Sequence, residues 1–201
     1  MLDIKSNQDL NFHSFFANQV YAVDIAIPNA DINFEDSVID SLFEAQRNTC
    51  KVLNIGHVKK KLFLTDIFCD KITIGTLPQT IILNDIAVKS YINLVGAGEN
   101  LTTVQTNKRT KLYLRGVDFS KLRLNYTDFQ LSFDGYIPKL KDSEITLVYE
   151  GLLNNFKERG QLQSYELLDI EYQSFLDTSP FKIESFVNKL WWNFGYFIKR
   201  M

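Results

Sequence analysis

Residues 117–131 read VDFSKLRLNYTDFQL, and large apolar side chains return in this stretch about every five residues. One residue separates Leu122 from Leu124, so both side chains lie on the same face of a short extended segment. An amphipathic helix would instead repeat its apolar residues at spacings of three and four over a longer run. The stretch therefore predicts short extended segments joined by bends at regular steps.

The same rhythm continues towards the N-terminus. Apolar–x–apolar pairs recur in steps of nine to eleven residues, and single residues between many of them halve the step to about five. The pairs are Val23/Ile25, Ile32/Phe34, Phe43/Ala45, Leu53/Ile55, Leu62/Leu64, Ile72/Ile74, Ile81/Leu83, Ile92/Leu94, Thr102/Val104, Leu112/Leu114, Leu122/Leu124 and Leu131/Phe133. The intermediate residues are Val58, Ile67, Leu77, Ile86, Val117 and Thr127.

A chain that turns a corner after each such segment forms coils of about twenty residues, which stack at about 4.8 Å and share one internal column of side chains. The sequence therefore predicts a mainly β protein, a β-solenoid followed by helices. The alternative is a β-sandwich or meander of short strands, followed by helices. Stacking makes a specific prediction, because Cys50 and Cys69 each precede a pair by three residues and should be neighbours on adjacent coils.

The opening stretch resembles pentapeptide repeats, with Asp118-Phe119 and Asp128-Phe129 in the second and third positions of the repeat. The resemblance implies a right-handed β-helix and a protein-interaction role. It departs from the family in its first position, which holds Val, Leu or Thr where the family favours Ala. Val117, Phe119, Leu122, Leu124, Thr127 and Phe129 are predicted to point inward, and Asp118, Lys121, Arg123 and Asp128 outward.

These patterns divide the chain into an N-terminal cap segment (1–20), a solenoid domain (21–138) and a helical C-terminal module (139–201). The segment VGAGENLTTVQTNKR at 95–109 is predicted to be a loop or bulged coil that interrupts the solenoid.

The C-terminal module begins with DSEITLVYEGLLNNFKERG, which is typical of a helix capped by Ser143 and ended by Gly160. A second helix over 161–176 should present one apolar face, and a third is expected at about 181–199. The first two helices would form a hairpin that covers the open end of the solenoid. The predicted face of the second helix comprises Leu162, Tyr165, Leu168, Tyr172 and Phe175.

Composition limits the class of protein. The chain has 201 residues, a net charge of −2 and two cysteines, which does not suit a disulfide-framed secreted module. The N-terminus lacks the basic and apolar regions of a signal peptide, and no run of about 18 apolar residues occurs. We therefore expect a cytoplasmic protein, with membrane association as the alternative.

Two surfaces are candidates for binding. FVNKLWWNFGYFIKRM at 186–201 combines aromatic and basic residues in the manner of a bilayer interface, or of a helix that packs on its own protein. Its candidate contact residues are Trp191, Trp192, Phe194, Tyr196, Phe197, Lys199 and Arg200. The second is a basic patch of Lys108, Arg109, Lys111 and Arg115, whose charges should spread around a coil, which disfavours nucleic acid as the partner.

The sequence contains no motif for catalysis, for a cofactor or for a metal ion. His13 and His57 lack the spacing of zinc ligands, and VGAGEN lacks the third glycine and the helix of a phosphate loop. Asp66, Asp70 and Asp85 are the candidate carboxylates of a solenoid carbohydrate hydrolase. The sequence favours a non-enzymatic interaction or scaffold module with an unknown protein partner. The alternatives are a membrane-peripheral or membrane-tethered domain and the hydrolase.

Overall fold

The computed structural model describes residues 8–95, 109–134 and 139–178. Three sequence predictions lie outside the described residues: the third helix at 181–199, the contact residues between Trp191 and Arg200, and Lys108 of the basic patch. The Thr102/Val104 pair lies outside them as well.

Ten strands and two α-helices make up the described fold. The strands are β1 (Leu10–Asn11), β2 (Phe16–Val23), β3 (Ala26–Ile27), β4 (Ile32–Cys50), β5 (Val52–Val58), β6 (Lys61–Ile74), β7 (Thr80–Asn93), β8 (Thr110–Val117), β9 (Leu122–Arg123) and β10 (Phe129–Leu131). The helices are α1 (Asp142–Glu158) and α2 (Leu162–Thr178), and 3-10 turns occupy Phe119–Lys121 and Tyr126–Asp128.

All pairings between the described strands are parallel, and they join each coil to the next in a solenoid of about five turns. The predicted solenoid is therefore confirmed, and the sandwich or meander is excluded because its hairpins would pair antiparallel strands. Phe43 pairs with Leu62 and Leu62 with Ile81, so one coil takes 19 residues there.

The coil between β7 and β8 is longer than its neighbours. Ile81 pairs with Leu112, an offset of 31 residues in place of 19. About twelve extra residues therefore lie between β7 and β8, the interval in which the sequence predicted an interruption, and residues 96–108 of that interval lie outside the described ranges.

The internal column is built largely from the predicted pairs. Even the weakest described pair, Phe43/Ala45, is fully buried. The pair Val23/Ile25 was wrong as a rung, because Val23 is exposed and the register places Val20 and Ala22 beside Phe43 and Ala45.

The opening stretch follows the prediction with one exchange. Val117, Leu122, Leu124 and Phe129 are buried and Phe119 is half-buried, whereas Tyr126 and not Thr127 fills the inward position of its segment. The reason is the 3-10 turn that begins at Tyr126, which shifts the inward position by one residue. Lys121 is half-buried and not fully outward, while Asp118, Arg123 and Asp128 are exposed as predicted.

The two cysteines confirm the coil register. The pairs Asn48–Ile67 and Thr49–Phe68 bring Cys50 beside Cys69 on the next coil. Both thiols are buried and unbridged. A hydrogen bond with Cys69, together with burial, raises the pKa of the Cys50 thiol far above its ordinary range.

One corner of each coil has a left-handed backbone conformation. In the first coil it is the corner that directly follows β2. Asp24, Arg47, Asp66, Asp85 and Gly116 stack one per coil, with φ between 51° and 60°. Aspartate, asparagine and glycine tolerate this region best. At the one arginine, the guanidinium bonds the Asp24 carboxylate at 2.6 Å, and this hydrogen bond lowers the pKa of Asp24.

The helix ends follow the predicted chemistry in part. Gly160 ends α1 with φ 67°, as predicted. The predicted N-cap at Ser143 was wrong. The cap is Lys141, since the Glu144 carboxylate at the third helical position accepts its backbone N–H at 2.9 Å. In α2, Leu168 is buried as predicted, but Leu162 is largely exposed.

The two helices close the C-terminal end of the solenoid and hydrogen-bond its last coil. Asn155 donates to the carbonyls of Phe119 (2.5 Å) and Leu122 (3.2 Å), and Gln161 donates to that of Leu124 (3.2 Å). The buried Ser164 hydroxyl accepts the N–H of Tyr126 at 3.1 Å. These side chains hydrogen-bond backbone groups that would lack partners if the helices did not cover the last coil.

A half-buried carboxylate joins the cap to the core. Glu171 of α2 accepts hydrogen bonds from the hydroxyls of Tyr126 (2.6 Å) and Tyr149 (3.2 Å). Burial, reinforced by this carboxylate, raises the pKa of both tyrosines well above their ordinary value of 10. Neither described helix is long and apolar enough to cross a bilayer.

Candidate partner-binding groove

An open groove of about 610 Å³ runs between the solenoid wall and α1. Strands β6, β7 and β8 form one side, and residues at and before the start of α1 form the other. Its lining is mostly apolar: Phe68, Ile86, Ala87, Val88, Leu114, Val117, Phe119, Leu140, Leu147 and Val148, with Lys89, Arg115, Gly116, Asp118 and Glu144. We name this the wall–helix groove.

Two small residues of the wall leave the space that the groove occupies. Ala87 stacks on Phe68 of the preceding coil and exposes only a methyl group. Gly116 follows at the left-handed corner with φ 60°, and a Cβ atom there would overlap the Asp85 carboxylate. A larger residue at Ala87 would fill part of the groove, whereas a side chain at position 116 would meet Asp85, which lies outside the groove.

Two large apolar side chains form the lips of the groove. Phe68 is 50% exposed on the solenoid side, and Leu147 is 63% exposed on the helix side. Between them lie the buried side chains of Leu140 and Val148. A broad apolar surface that remains open on one side is typical of a site for another molecule.

The charged side chains at the rim of the groove differ in the hydrogen bonds and ion pairs that they make. Lys89 bonds Asp70 at 2.7 Å and lies 5.9 Å from the centre of the Phe68 ring. Asp118 accepts hydrogen bonds from the backbone and hydroxyl of Ser120, and Glu144 accepts one from the backbone of Lys141. The Arg115 side chain makes no hydrogen bond or ion pair with another of the described residues.

The residues of the predicted basic patch have separate surroundings. Arg109 donates to the carbonyl of Tyr126 (2.8 Å) and lies over its ring (4.9 Å), so it belongs to the contact with the cap. Lys111 and Arg115 lie on the same face of β8, about 13 Å apart at the rise of a strand. Of the described patch residues, Arg115 lines the groove.

The three candidate carboxylates lie outside the groove. Asp66 and Asp85 are exposed and stack at the left-handed corner on adjacent coils, while Asp70 is paired with Lys89. Within the described ranges, no group of three or more His, Cys, Asp or Glu side chains is arranged to hold a metal ion.

The sequence did not predict the groove, because the predictions rested on two regular patterns: the apolar rungs of the solenoid and the apolar faces of the helices. Phe68 follows the inward Ile67, and Leu147 precedes the inward Val148, so both fall outside the apolar periodicity. A signal was nevertheless available in the sequence. Large apolar residues such as Phe68 and Leu147 stand next to inward positions and are not needed to fill the core. Nothing in the sequence indicated that these two positions, 79 residues apart, would face each other.

Comparison of the chain with protein-family models, with curated proteins and with solved structures found no match.

Proposed function

We propose that this protein is a non-enzymatic interaction module whose wall–helix groove binds a short amphipathic segment of a protein partner. The observation that carries the proposal is the pair of exposed lips, Phe68 and Leu147, on either side of an apolar floor. In protein interfaces, a few well-packed anchor residues contribute most of the affinity, and the apolar contacts around them exclude water.

The shape of the site favours a peptide segment over an enclosed small molecule. Small-molecule sites surround most of their ligand, whereas this groove lies open between a β wall and a helix. An amphipathic helix can lay its apolar face into such a groove and leave its polar face in water.

The charge at the rim indicates one further property of the partner. Lys89 pairs with Asp70, and Asp118 and Glu144 accept local hydrogen bonds, whereas the Arg115 side chain has no partner among the described residues and can pair with a ligand. Arginine binds a carboxylate with two parallel hydrogen bonds. The proposed segment therefore carries aliphatic or aromatic residues and an acidic residue at the end that reaches Arg115.

Photo-crosslinking tests this proposal in cells that express the protein natively. A photoreactive amino acid at position 147 should capture a discrete partner, and the same group at position 162, exposed on α2, should not. The captured protein is then purified and its affinity measured by calorimetry. Leu147→Glu and Arg115→Glu should each weaken binding at least tenfold, since both changes oppose the proposed contacts.

Leu162→Glu is the matched control, because Leu162 is a similarly exposed leucine outside the groove. Equal crosslinking from positions 147 and 162, or a purified partner that binds Leu147→Glu as tightly as wild type, would contradict the proposal. Circular dichroism melts of each variant separate a lost contact from a lost fold.

We also propose that the coil at 117–131 is pentapeptide-like. In support, Val117 and Leu122 are buried residues five positions apart, and so are Leu124 and Phe129. Asp118 lies between these inward positions and accepts the N–H of Ser120 at the start of a 3-10 turn.

The membrane-peripheral role is a second candidate, favoured by the aromatic and basic composition of residues 186–200. It predicts co-sedimentation with anionic vesicles that is lost on combined Trp191→Ala and Trp192→Ala substitution. Wild-type protein that stays in the supernatant would overturn this candidate and leave the groove proposal intact.

A further inference from the structure

The two ends of the solenoid differ in whether other described parts of the chain cover the backbone groups of the terminal coil. At the C-terminal end, side chains of α1 and α2 bond the last coil. At the N-terminal end, β1, β2 and β3 each pair only with β4 among the described residues. Strand β2 is therefore the outermost strand of the described solenoid, and one of its edges is without a described neighbour.

The backbone of β2 indicates which groups this edge presents. Asp24 donates its N–H to Gln46 on β4. In a parallel ladder alternate residues bond to the same neighbour. The backbone N–H and C=O groups of Tyr21 and Val23 therefore point away from β4, along the axis of the solenoid.

The sequence of β2 lacks the features that normally protect an edge strand. Natural edges carry lysine, proline or inward charges that prevent pairing with another strand. Strand β2 reads FANQVYAV, with no charge and no proline. Its one irregularity is a register shift between Ala17 and Gln19, after which Gln19–Val23 forms a regular run.

Exposed aromatic side chains accompany this edge. Phe16 is 85% exposed and Tyr21 is 58% exposed, and Phe12 of the same coil is 41% exposed. The uncharged edge of β2 and the exposed aromatic rings together form a surface that water solvates poorly.

We infer that a second copy of this chain docks on this edge, so that the β2 strands of two molecules pair antiparallel about a two-fold axis. A second copy satisfies both open edges at once, because each molecule brings the same unpaired groups. Self-pairing meets no charge repulsion, since β2 is uncharged and the nearby Asp24 is neutralised by Arg47.

The axis is best placed near Tyr21. Pairing centred there sets Gln19 opposite Val23 of the second copy and lets the outward backbone groups of Tyr21 and Val23 bond across the axis. The inward side chains Val20 and Ala22 then face each other and extend the apolar column from one molecule into the next.

This inference goes beyond the groove and is tested separately by sedimentation-velocity ultracentrifugation of the full chain between about 1 and 100 μM. We expect a monomer–dimer equilibrium. Tyr21→Lys should weaken it at least tenfold, because it places like charges across the axis. Ile170→Lys, an equally exposed position on α2, is the matched control and should leave the equilibrium unchanged.

Amide hydrogen exchange identifies the edge directly. The amides of Tyr21 and Val23 should exchange more slowly as the protein concentration rises. A monomer at 100 μM would overturn the inference, as would equal loss of dimer in both variants. Slow exchange of these amides at every concentration would also overturn it, because the edge would then be covered by the same molecule. Deletion of residues 1–7 should leave the dimer in place, and a dimer seen only after that deletion would count against the inference.

Discussion

Gly151 of α1 lies directly on the ring of Phe119, so close that a Cβ atom at position 151 would overlap the ring carbons. This contact joins the first helix of the cap to the 3-10 turn of the last coil. It also sets how near α1 approaches the wall, and with it the width of the wall–helix groove.

We predict that Gly151→Val destabilises the protein by about 1–3 kcal/mol, because an overpacked contact must move the helix or the ring. Urea unfolding measures the loss. Asn154→Val on the exposed face of the same helix is the control and should stay within about 0.5 kcal/mol of wild type. If Gly151→Val is as stable as wild type, the close approach of α1 does not contribute to stability as proposed.

A second prediction concerns Asn48, whose fully buried side chain connects two coils. Its amide accepts the N–H of Ile25 at 2.9 Å and donates to the carbonyl of Ala22 at 2.7 Å. Asn48→Ala should reduce the free energy of unfolding by at least about 2 kcal/mol, because it leaves two backbone groups without partners. Asn154→Ala, at an exposed position, should cause no such loss, and similar losses in the two variants would contradict this role.

A third prediction separates two costs at the left-handed corner. Gly116→Ala combines a positive φ with an overlap against Asp85, whereas Gly160→Ala has a positive φ and nothing within 4 Å of the new Cβ. We expect a loss of about 1–3 kcal/mol for Gly116→Ala, and a smaller loss for Gly160→Ala.

A double-mutant cycle with Asp85→Gly and Asp85→Gly/Gly116→Ala isolates the overlap, because Asp85→Gly alone measures the strain that glycine relieves at the positive φ of residue 85. In the Asp85→Gly background, Gly116→Ala should cost less than in wild type and retain the part of the loss due to φ. Denaturation midpoints give both quantities, and an equal cost of Gly116→Ala in the two backgrounds would rule out the overlap with the Asp85 side chain.

A fourth prediction is a loss of stability at alkaline pH. Burial and the Glu171 carboxylate raise the pKa of Tyr126 above its ordinary value of 10. The unfolded chain therefore releases this proton first as pH rises. The stabilisation is present in full below about pH 10 and decreases above it, by up to about 1.4 kcal/mol per pH unit.

Tyr126→Phe should be less stable than wild type at pH 8, because it loses the hydrogen bond to Glu171. The difference should shrink above pH 10, as followed by urea unfolding at several pH values. Tyr21→Phe, which alters an exposed ring, should keep the alkaline loss of wild type. A constant difference between wild type and Tyr126→Phe from pH 8 to pH 11 would contradict the assignment.

Much of the solenoid could be predicted from the sequence, because its apolar pattern depends on residues that are close together in the chain. Side chains alternate across each short segment, so a pair such as Leu62/Leu64 must face the same way. Errors arose where the inward positions were shifted along the chain, by one residue at Tyr126 and by three at Val23. Such shifts depend on backbone bonds between coils, which apolar spacing does not encode.

By itself, the sequence determined the column of apolar rungs, the helical hairpin and the position of the interruption, because each depends on periodicity or on residues close in the chain. Only the tertiary structure decided that Phe68, Ala87, Gly116 and Leu147 would surround one groove and that one edge of β2 would have no neighbour among the described residues. The stacking of coils and the docking of α1 bring these distant residues together. The depth of the groove depends on an approach distance set by packing at Gly151 and Phe119.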